Sequence, residues 1–166
     1  MTGGAGAGGA VAGGAGAGGT GAGGAGAGGA GAGPLAAAGQ QPFEYAILRV
    51  IPRVDRGEAI NAGILLYCRP LGYLRALVEL DADRLLALDP AADVAAISQA
   101  LSAIAGICEQ DPGSGQAGLQ DIGRRFGWLT APRSTVVQAG PVHTGLTSDP
   151  AAEAERLLRN LVRRPG

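Results

Sequence analysis

The stretch FEYAILRVIPRVDRGEAINAGILLYC, residues 43–68, contains two apolar runs joined by a short charged connector. The first run, residues 43–51, is apolar at both odd and even positions, which is typical of a strand covered on both faces. Pro52 ends this run because proline has no N–H to donate to a neighbouring strand. The second run, residues 60–68, has the same two-sided character, and its Gly63 indicates a bulge or a close approach by other atoms. We predict that both runs are strands of one sheet.

Two further strands are predicted downstream. The sequence RPLG at residues 69–72 favours a turn, and residues 73–80 then alternate apolar and polar side chains, as a half-exposed antiparallel strand does. Residues 133–138, RSTVVQ, favour a fourth strand because of their Thr and Val content. Residues 141–148 are predicted as a loop, and the Trp-Leu pair at residues 128–129 is expected to lie in the core.

Aspartates mark the predicted helix starts. Asp81 is placed to cap a short helix, and Asp89 with Pro90 favours the start of a longer one, with Asp89 as N-cap. The same Asp-Pro pair recurs at residues 149–150 before a last helix, and a helical turn is predicted within residues 119–128. The predicted fold class is therefore α+β, with a small, mostly antiparallel sheet of about four strands packed by two or three helices.

The N-terminal segment has a different composition from the rest. Residues 3–33 hold 18 of the 31 glycines, almost all other residues there are alanine, and no residue is charged. Ordering a residue costs about 1–2 kcal/mol, and such small side chains bury too little surface to offset that cost. We predict a disordered Gly/Ala-repeat tail over residues 1–39 and one domain over residues 40–166. The tail lacks the bulky apolar side chains of a membrane span and the basic start of a secretory signal.

Charge and cysteine content limit the classes of function. The 13 basic residues, all arginine, and 14 acidic residues leave a net charge of −1, and only 4% of residues are aromatic. This balance argues against binding to nucleic acid or to an anionic membrane. Cys68 and Cys108 each stand alone in an apolar run, which predicts buried thiols and a cytoplasmic, reducing location. No metal site is expected from two cysteines and one histidine that are far apart, and the sequence has no P-loop, GxSxG, HExxH or CxxC motif that would imply a cofactor.

Candidate functional residues lie in the charged connector and in the later loop. Arginine side chains bind carboxylate and phosphate groups through two parallel hydrogen bonds, so loop arginines are candidates for binding. The predicted binding residues are Arg53, Arg56, Asn61 and Arg133. Glu58 and His143 are the catalytic candidates, and they form an acid–base pair only if the fold brings them together. Ser134 is a nucleophile only if a base activates it.

Each of these residues also has a structural interpretation. Arg56 and Glu58 are spaced to pair across a turn, and Asn61 is of a type that occurs in bulges and turns and bonds its own backbone. Arg133 is also suited to pair with Glu58 or to bind the carbonyl groups at a helix C-terminus, in place of binding a ligand. His143 is able to anchor a loop. The sequence leaves both interpretations open.

Three groups of residues resemble a known bacterial family, the domain of unknown function 3037. The groups are Arg56-Gly57-Glu58 with Asn61 and Gly63, Trp128-Leu129 with Pro132-Arg133, and Pro141-Val142-His143. The resemblance spans residues 43–164 and implies one folded unit without implying a reaction. The resemblance also makes a protein partner worth testing, with a HipA-like kinase as a candidate.

Two functional hypotheses follow. The first is a binding or accessory module that uses an arginine-rich loop surface to dock a protein partner or a small anionic ligand. It rests on loop arginines without any nucleophile–base motif. The alternative is a small enzyme that acts on a phosphorylated or nucleotide substrate, with Glu58 and His143 in acid–base roles.

Overall fold

The computed structural model describes residues 39–164, so the predicted Gly/Ala tail lies outside the described residues except for Gly39. The strands are β1 (Gln41–Val50), β2 (Ile60–Cys68), β3 (Tyr73–Val78) and β4 (Val137–Thr147). The helices are α1 (Ala82–Leu88), α2 (Val94–Glu109), α3 (Gly115–Gly118), α4 (Ile122–Thr130) and α5 (Pro150–Leu161), with a 3-10 turn at Pro112–Ser114. The strands form one antiparallel sheet in the order β3-β2-β1-β4, which confirms the predicted α+β class.

Apolar clusters cover both faces of the sheet, as the two-sided strands predict. On one face, Leu48 of β1 packs in a cluster with Leu101 of α2. On the other face, Phe43 of β1 and Ile64 of β2 pack with Leu157 of α5. Because β1 and β2 have few polar positions, they are stable only between these two layers. Helix α5 therefore covers one face, and α2 with α4 covers the other.

A bulge interrupts β2 at the position that the sequence indicates. Leu48 pairs with Gly63, whereas the next residue, Arg49, pairs with Asn61. Ala62 is thus an extra residue on β2, and the side chains before and after it alternate in opposite phase. This shift lets both halves of β2 present apolar side chains to the face that α2 covers. The predicted bulge is confirmed.

Gly63 also lies in close contact with β3. A Cβ atom at this position would be 2.6 Å from the carbonyl oxygen of Leu77 and 3.2 Å from the Cα of Val78. Both neighbours are backbone atoms of a paired strand, so neither is able to move aside cheaply. Both predicted roles of Gly63, bulge and close approach, therefore hold at the same residue.

The longer helix begins later than predicted. Asp89 ends α1, since its backbone N–H donates to the carbonyl of Leu85 at 2.9 Å, and Pro90 lies in the following turn. The N-cap of α2 is Asp93, whose carboxylate accepts from the N–H of Ala96 at 2.9 Å. The assignment of Asp89 as that N-cap is wrong. Two aspartates four residues apart both suit a cap, and Asp89 instead binds the turn that separates the helices.

The fourth strand also differs from its predicted position. The strand was expected at residues 133–138 and a loop at residues 141–148, but β4 runs from Val137 to Thr147. It pairs with the whole length of β1, and this tertiary pairing overrides the local turn-forming residues. Pro141 is accommodated next to a shift in the β1–β4 register, where a proline is tolerated.

Substitution of Gly63 by Ala is expected to lower the free energy of unfolding by about 2–3 kcal/mol, because the added methyl group overpacks against backbone. Urea unfolding of the full chain measures this change. Gly127→Ala is the matched control, since a Cβ there meets nothing within 4 Å and lies in α4. The control should be neutral or stabilising by up to about 1 kcal/mol. Equal stabilities of the two variants would contradict the packing at Gly63.

Candidate functional site

The connector between β1 and β2 is exposed and contains two local ion pairs. Arg53 Nη2 lies 3.1 Å from Asp55 Oδ2, and Arg56 Nε lies 2.8 Å from Glu58 Oε2. The hydrogen bond from Arg53 holds the pKa of the Asp55 carboxyl below its ordinary value. The structural interpretation of Arg56 and Glu58, a pair across a turn, is thus observed. Both predicted binding arginines of the connector already have a carboxylate partner.

Asn61 connects the sheet to the last helix. Its Nδ2 donates a 2.8 Å hydrogen bond to the carbonyl oxygen of Leu161, the last residue of α5. Carbonyls in the last turn of a helix have no partner within the helix, so the side chain satisfies an acceptor that would otherwise be unpaired. Just beyond this point Arg163 Nε lies 2.9 Å from Glu79 Oε2. Asn61 therefore has a structural role in anchoring α5.

Arg133 contacts the end of α4 and not Glu58. Its guanidinium lies over the ring of Trp128, with Cζ 3.9 Å from the ring centroid, and its Nη2 donates to the Trp128 carbonyl. This contact agrees with the structural interpretation in which Arg133 binds a helix C-terminus. The Trp128 side chain is 49% exposed, so the expectation that Trp128 lies in the core is wrong, whereas Leu129 is buried. The cation–π contact keeps a large aromatic ring at the surface in a defined position.

The structure does not bring Glu58 and His143 together. His143 lies in β4 opposite Tyr45 of β1, and the two rings stack with centroids 5.1 Å apart. Glu58 lies two residues before Ile60, which is opposite Val50 at the far end of β1. The five steps along the strand from Tyr45 to Val50 span about 17 Å at about 3.3 Å per residue. The condition for an acid–base pair, proximity of the two side chains, is not met.

An apolar groove of about 560 Å³ runs beside α2. One wall consists of small and branched side chains of α2, and the other consists of Trp128, Arg133 and the start of β4. The α2 wall is formed chiefly by Ala96, Ala100, Ala103, Ile104 and Ile107. Pro52, Asp89 and Asp93 also line the groove. Its volume falls within the range of about 300–1,000 Å³ that is usual for ligand sites.

Sequence analysis missed this groove because its largest wall is built from alanine. Ala96, Ala100 and Ala103 recur at the spacing of one helix face, beside the stripe that includes Ile97 and Leu101. Alanines of this kind read as neutral helix formers and carry no chemical signal. The sequence signal for the groove was the width of the apolar stripe on α2, which is wider than the part of α2 that packs on the sheet.

A second missed residue is Arg125, whose side chain is only 4% exposed. Its Nη1 donates to the carbonyl oxygens of Ile107 and Cys108, at 3.0 and 2.7 Å, at the C-terminal end of α2. A cation at a helix C-terminus is favoured by the helix dipole. Residues 122, 125, 126 and 129 share one face of α4, so helical spacing would have placed Arg125 inside.

The buried environment of Arg125 also holds a cysteine. Burial raises the pKa of the Cys108 thiol to about 12, although the positive charge of Arg125 acts in the opposite direction. Cys108 and Cys68 are both buried and unpaired, as the sequence predicts. Within residues 39–164, no three His, Cys, Asp or Glu side chains lie close enough to hold a metal ion. No helix in that range is both long and apolar enough to cross a membrane.

Comparison with known protein families gives one match. The family described as "Protein of unknown function (DUF3037)" matches residues 45–162, which is more than half of the chain. The chain belongs to this family. Neither the curated proteins nor the solved structures contain a match. Membership in DUF3037 assigns no activity, so the function has to be inferred from the geometry of this DUF3037 chain.

Substitution of Arg125 by Met is expected to lower the free energy of unfolding by about 2–3 kcal/mol, because two buried carbonyls lose charged hydrogen bonds. Arg124→Met is the matched control, since the Arg124 side chain is exposed, and a change within about 0.5 kcal/mol is expected. Urea unfolding gives both values. A second readout is thiol labelling at pH 8, where the raised pKa keeps Cys108 protonated and unreactive in the folded protein. Arg125→Met should accelerate labelling because the less stable fold exposes the thiol more often, an effect that must outweigh the further rise in the thiol pKa when the positive charge is lost. Equal behaviour of the two variants would contradict the role of Arg125.

Proposed function

We propose that this protein is a binding or accessory module that docks a helical segment of a protein partner in the groove beside α2. The single observation that carries this proposal is the groove itself, an apolar cleft of about 560 Å³ with an exposed tryptophan on its wall. Mostly apolar clefts of this volume are characteristic of binding sites. Tryptophan and arginine side chains are the residue types most enriched at the energetic centres of protein interfaces.

The shape of the groove favours a helix as the occupant. From Asp93 to Ile107 the α2 wall is about 21 Å long at about 1.5 Å per residue, which matches about four helical turns. Alanine side chains on that wall allow the axis of a second helix to approach closely. Amphipathic helices bind grooves of this kind through apolar residues three or four positions apart.

Charges at the ends of the groove indicate the polarity of the partner segment. Asp89 and Asp93 lie at the end where α2 begins. A basic residue of the partner would be favoured there by electrostatic complementarity. Arg53 follows Pro52, which lines the groove, and Arg133 is part of the opposite wall. An acidic partner residue near Arg53 would compete with Asp55, and the negative charge of Asp89 also acts on Arg53.

The enzyme alternative has less support. Its two candidate residues, Glu58 and His143, are separated by much of the length of β1. A small anionic ligand would have to displace the carboxylates that already bind Arg53 and Arg56. A mostly apolar groove offers such a ligand little. A protein partner uses both the apolar wall and the charged ends.

Blocking the groove is expected to abolish partner binding. In Ala100→Arg a long charged side chain enters the groove from the α2 wall, and partner recovery from a lysate of the native cell should fall at least tenfold. Ala95→Arg, an exposed α2 position outside the groove lining, adds the same side chain as a matched control and should bind like wild type. The double variant Arg53→Ala/Arg133→Ala should weaken partner binding, because it removes two arginine side chains beside the groove.

The captured partner, with a HipA-like kinase as the first candidate, is then titrated in purified form. Trp128 is the only tryptophan of the chain, so its fluorescence reports occupancy of the groove directly. We expect a saturable change of Trp128 fluorescence in wild type and in Ala95→Arg, and no change in Ala100→Arg. Binding of Ala100→Arg with wild-type affinity would disprove groove docking, and response to phosphates alone would favour an anionic ligand.

A further inference from the structure

The outer edge of β4 is a second uncovered surface of the described fold. β4 is the last strand in the order β3-β2-β1-β4, and within residues 39–164 no strand pairs with its outer side. The C-terminal half of β4 is open to solvent: Val142 is 41% exposed and Leu146 is 40% exposed. An edge strand presents a row of backbone N–H and C=O groups that another strand is able to pair with.

The two edges of the sheet differ in protection against pairing. Proteins commonly protect exposed edges by short strands and charged side chains. β3 has six residues and carries Arg75, which forms an ion pair with Glu109. β4 has 11 residues, VQAGPVHTGLT, without a single acidic or basic group apart from His143. The β3 edge is therefore short and charged, whereas the part of β4 that follows Pro141 and the register shift beside it lacks both charge and proline.

We infer that the part of β4 after Pro141 pairs with the same segment of a second copy of this chain, antiparallel and centred on Thr144. A two-fold axis through Thr144 places Val142 opposite Leu146 of the second copy. These exposed apolar side chains lie on the same face of β4 as Thr144, because strand side chains alternate. His143 lies opposite Gly145, where a ring meets a residue without a side chain. Thr144 lies opposite its own symmetry mate, and Thr–Thr pairs are favourable cross-strand neighbours.

A second copy fits this edge because the sequence around Thr144 is complementary to itself. Val142 meets Leu146 on both sides of the axis, and no like charges face each other across the seam. The pairing would join two sheets into one antiparallel sheet and leave only the short, charged β3 strands as edges. It is also an isologous contact, which closes after two subunits instead of forming a fibre. Since one strand per subunit forms the contact, we expect a dimer of modest affinity.

Sedimentation equilibrium of the full chain, from low-micromolar to near-millimolar concentration, tests this inference. Wild type should pass from monomer to dimer. Thr144→Glu should stay monomeric, because two like charges then meet at the axis and Glu44 lies beside each one in β1. Gln99→Glu, at an exposed α2 position, changes the net charge equally and should dimerise like wild type. An equimolar mixture of Thr144→Glu and Thr144→Lys should recover a dimer.

A cysteine at the axis tests the register independently. Residues that face each other in an antiparallel pair have Cα atoms about 4.5–5.5 Å apart, within the range that a disulfide spans. Thr144→Cys should therefore form a covalent dimer on mild oxidation, whereas the exposed Ser148→Cys, four residues from the axis, should not. The native Cys68 and Cys108 are buried and do not compete. Wild type that remains monomeric throughout, or equal cross-linking of the two cysteine variants, would overturn the inference. Neither result depends on the groove beside α2.

Discussion

The pairing of β1 with β2, with both faces buried, is the constraint on which the rest of the structure depends. Two strands without a polar face need an apolar layer on each side, so α5 covers one face and α2 with α4 covers the other. The bulge at Gly63 allows both halves of β2 to serve the α2 face, and it requires a backbone without a side chain against β3. Asn61, beside the bulge, binds the end of α5. One local irregularity therefore affects the packing of α5, of the sheet and of the α2 layer.

The same constraint explains how the groove arises. Helix α2 covers a sheet face with Ile97 and Leu101, and its adjacent alanine face remains outside that contact. Trp128 and Arg133 form the opposite wall because the guanidinium binds the end of α4 and stacks on the indole ring. The groove is thus a product of elements that are fixed by core packing.

The sequence predicts most of the sheet and little of the functional surface. β1, β2 and β3 were predictable because burial alternates or persists along each strand and Gly63 interrupts the pattern, all of which are local signals. β4 was misplaced because Gly140 and Pro141 indicate a loop, and only pairing with β1 makes that segment a strand. The alanine wall carries no chemical signal. Arg125 was recoverable from the spacing of α4, although arginine is usually a surface residue.

The arginines illustrate why residue type alone is a poor guide to the site. Arg53 and Arg56 have carboxylate partners within their own connector, Arg125 caps α2, and Arg133 binds the end of α4. Each of these contacts stabilises a turn or a helix end, so none of these groups is a free anion receptor. Two surfaces remain uncovered within the described residues, the alanine wall of α2 and the outer edge of β4. One is a row of small apolar side chains and the other is a row of backbone groups, so neither owes its character to an arginine.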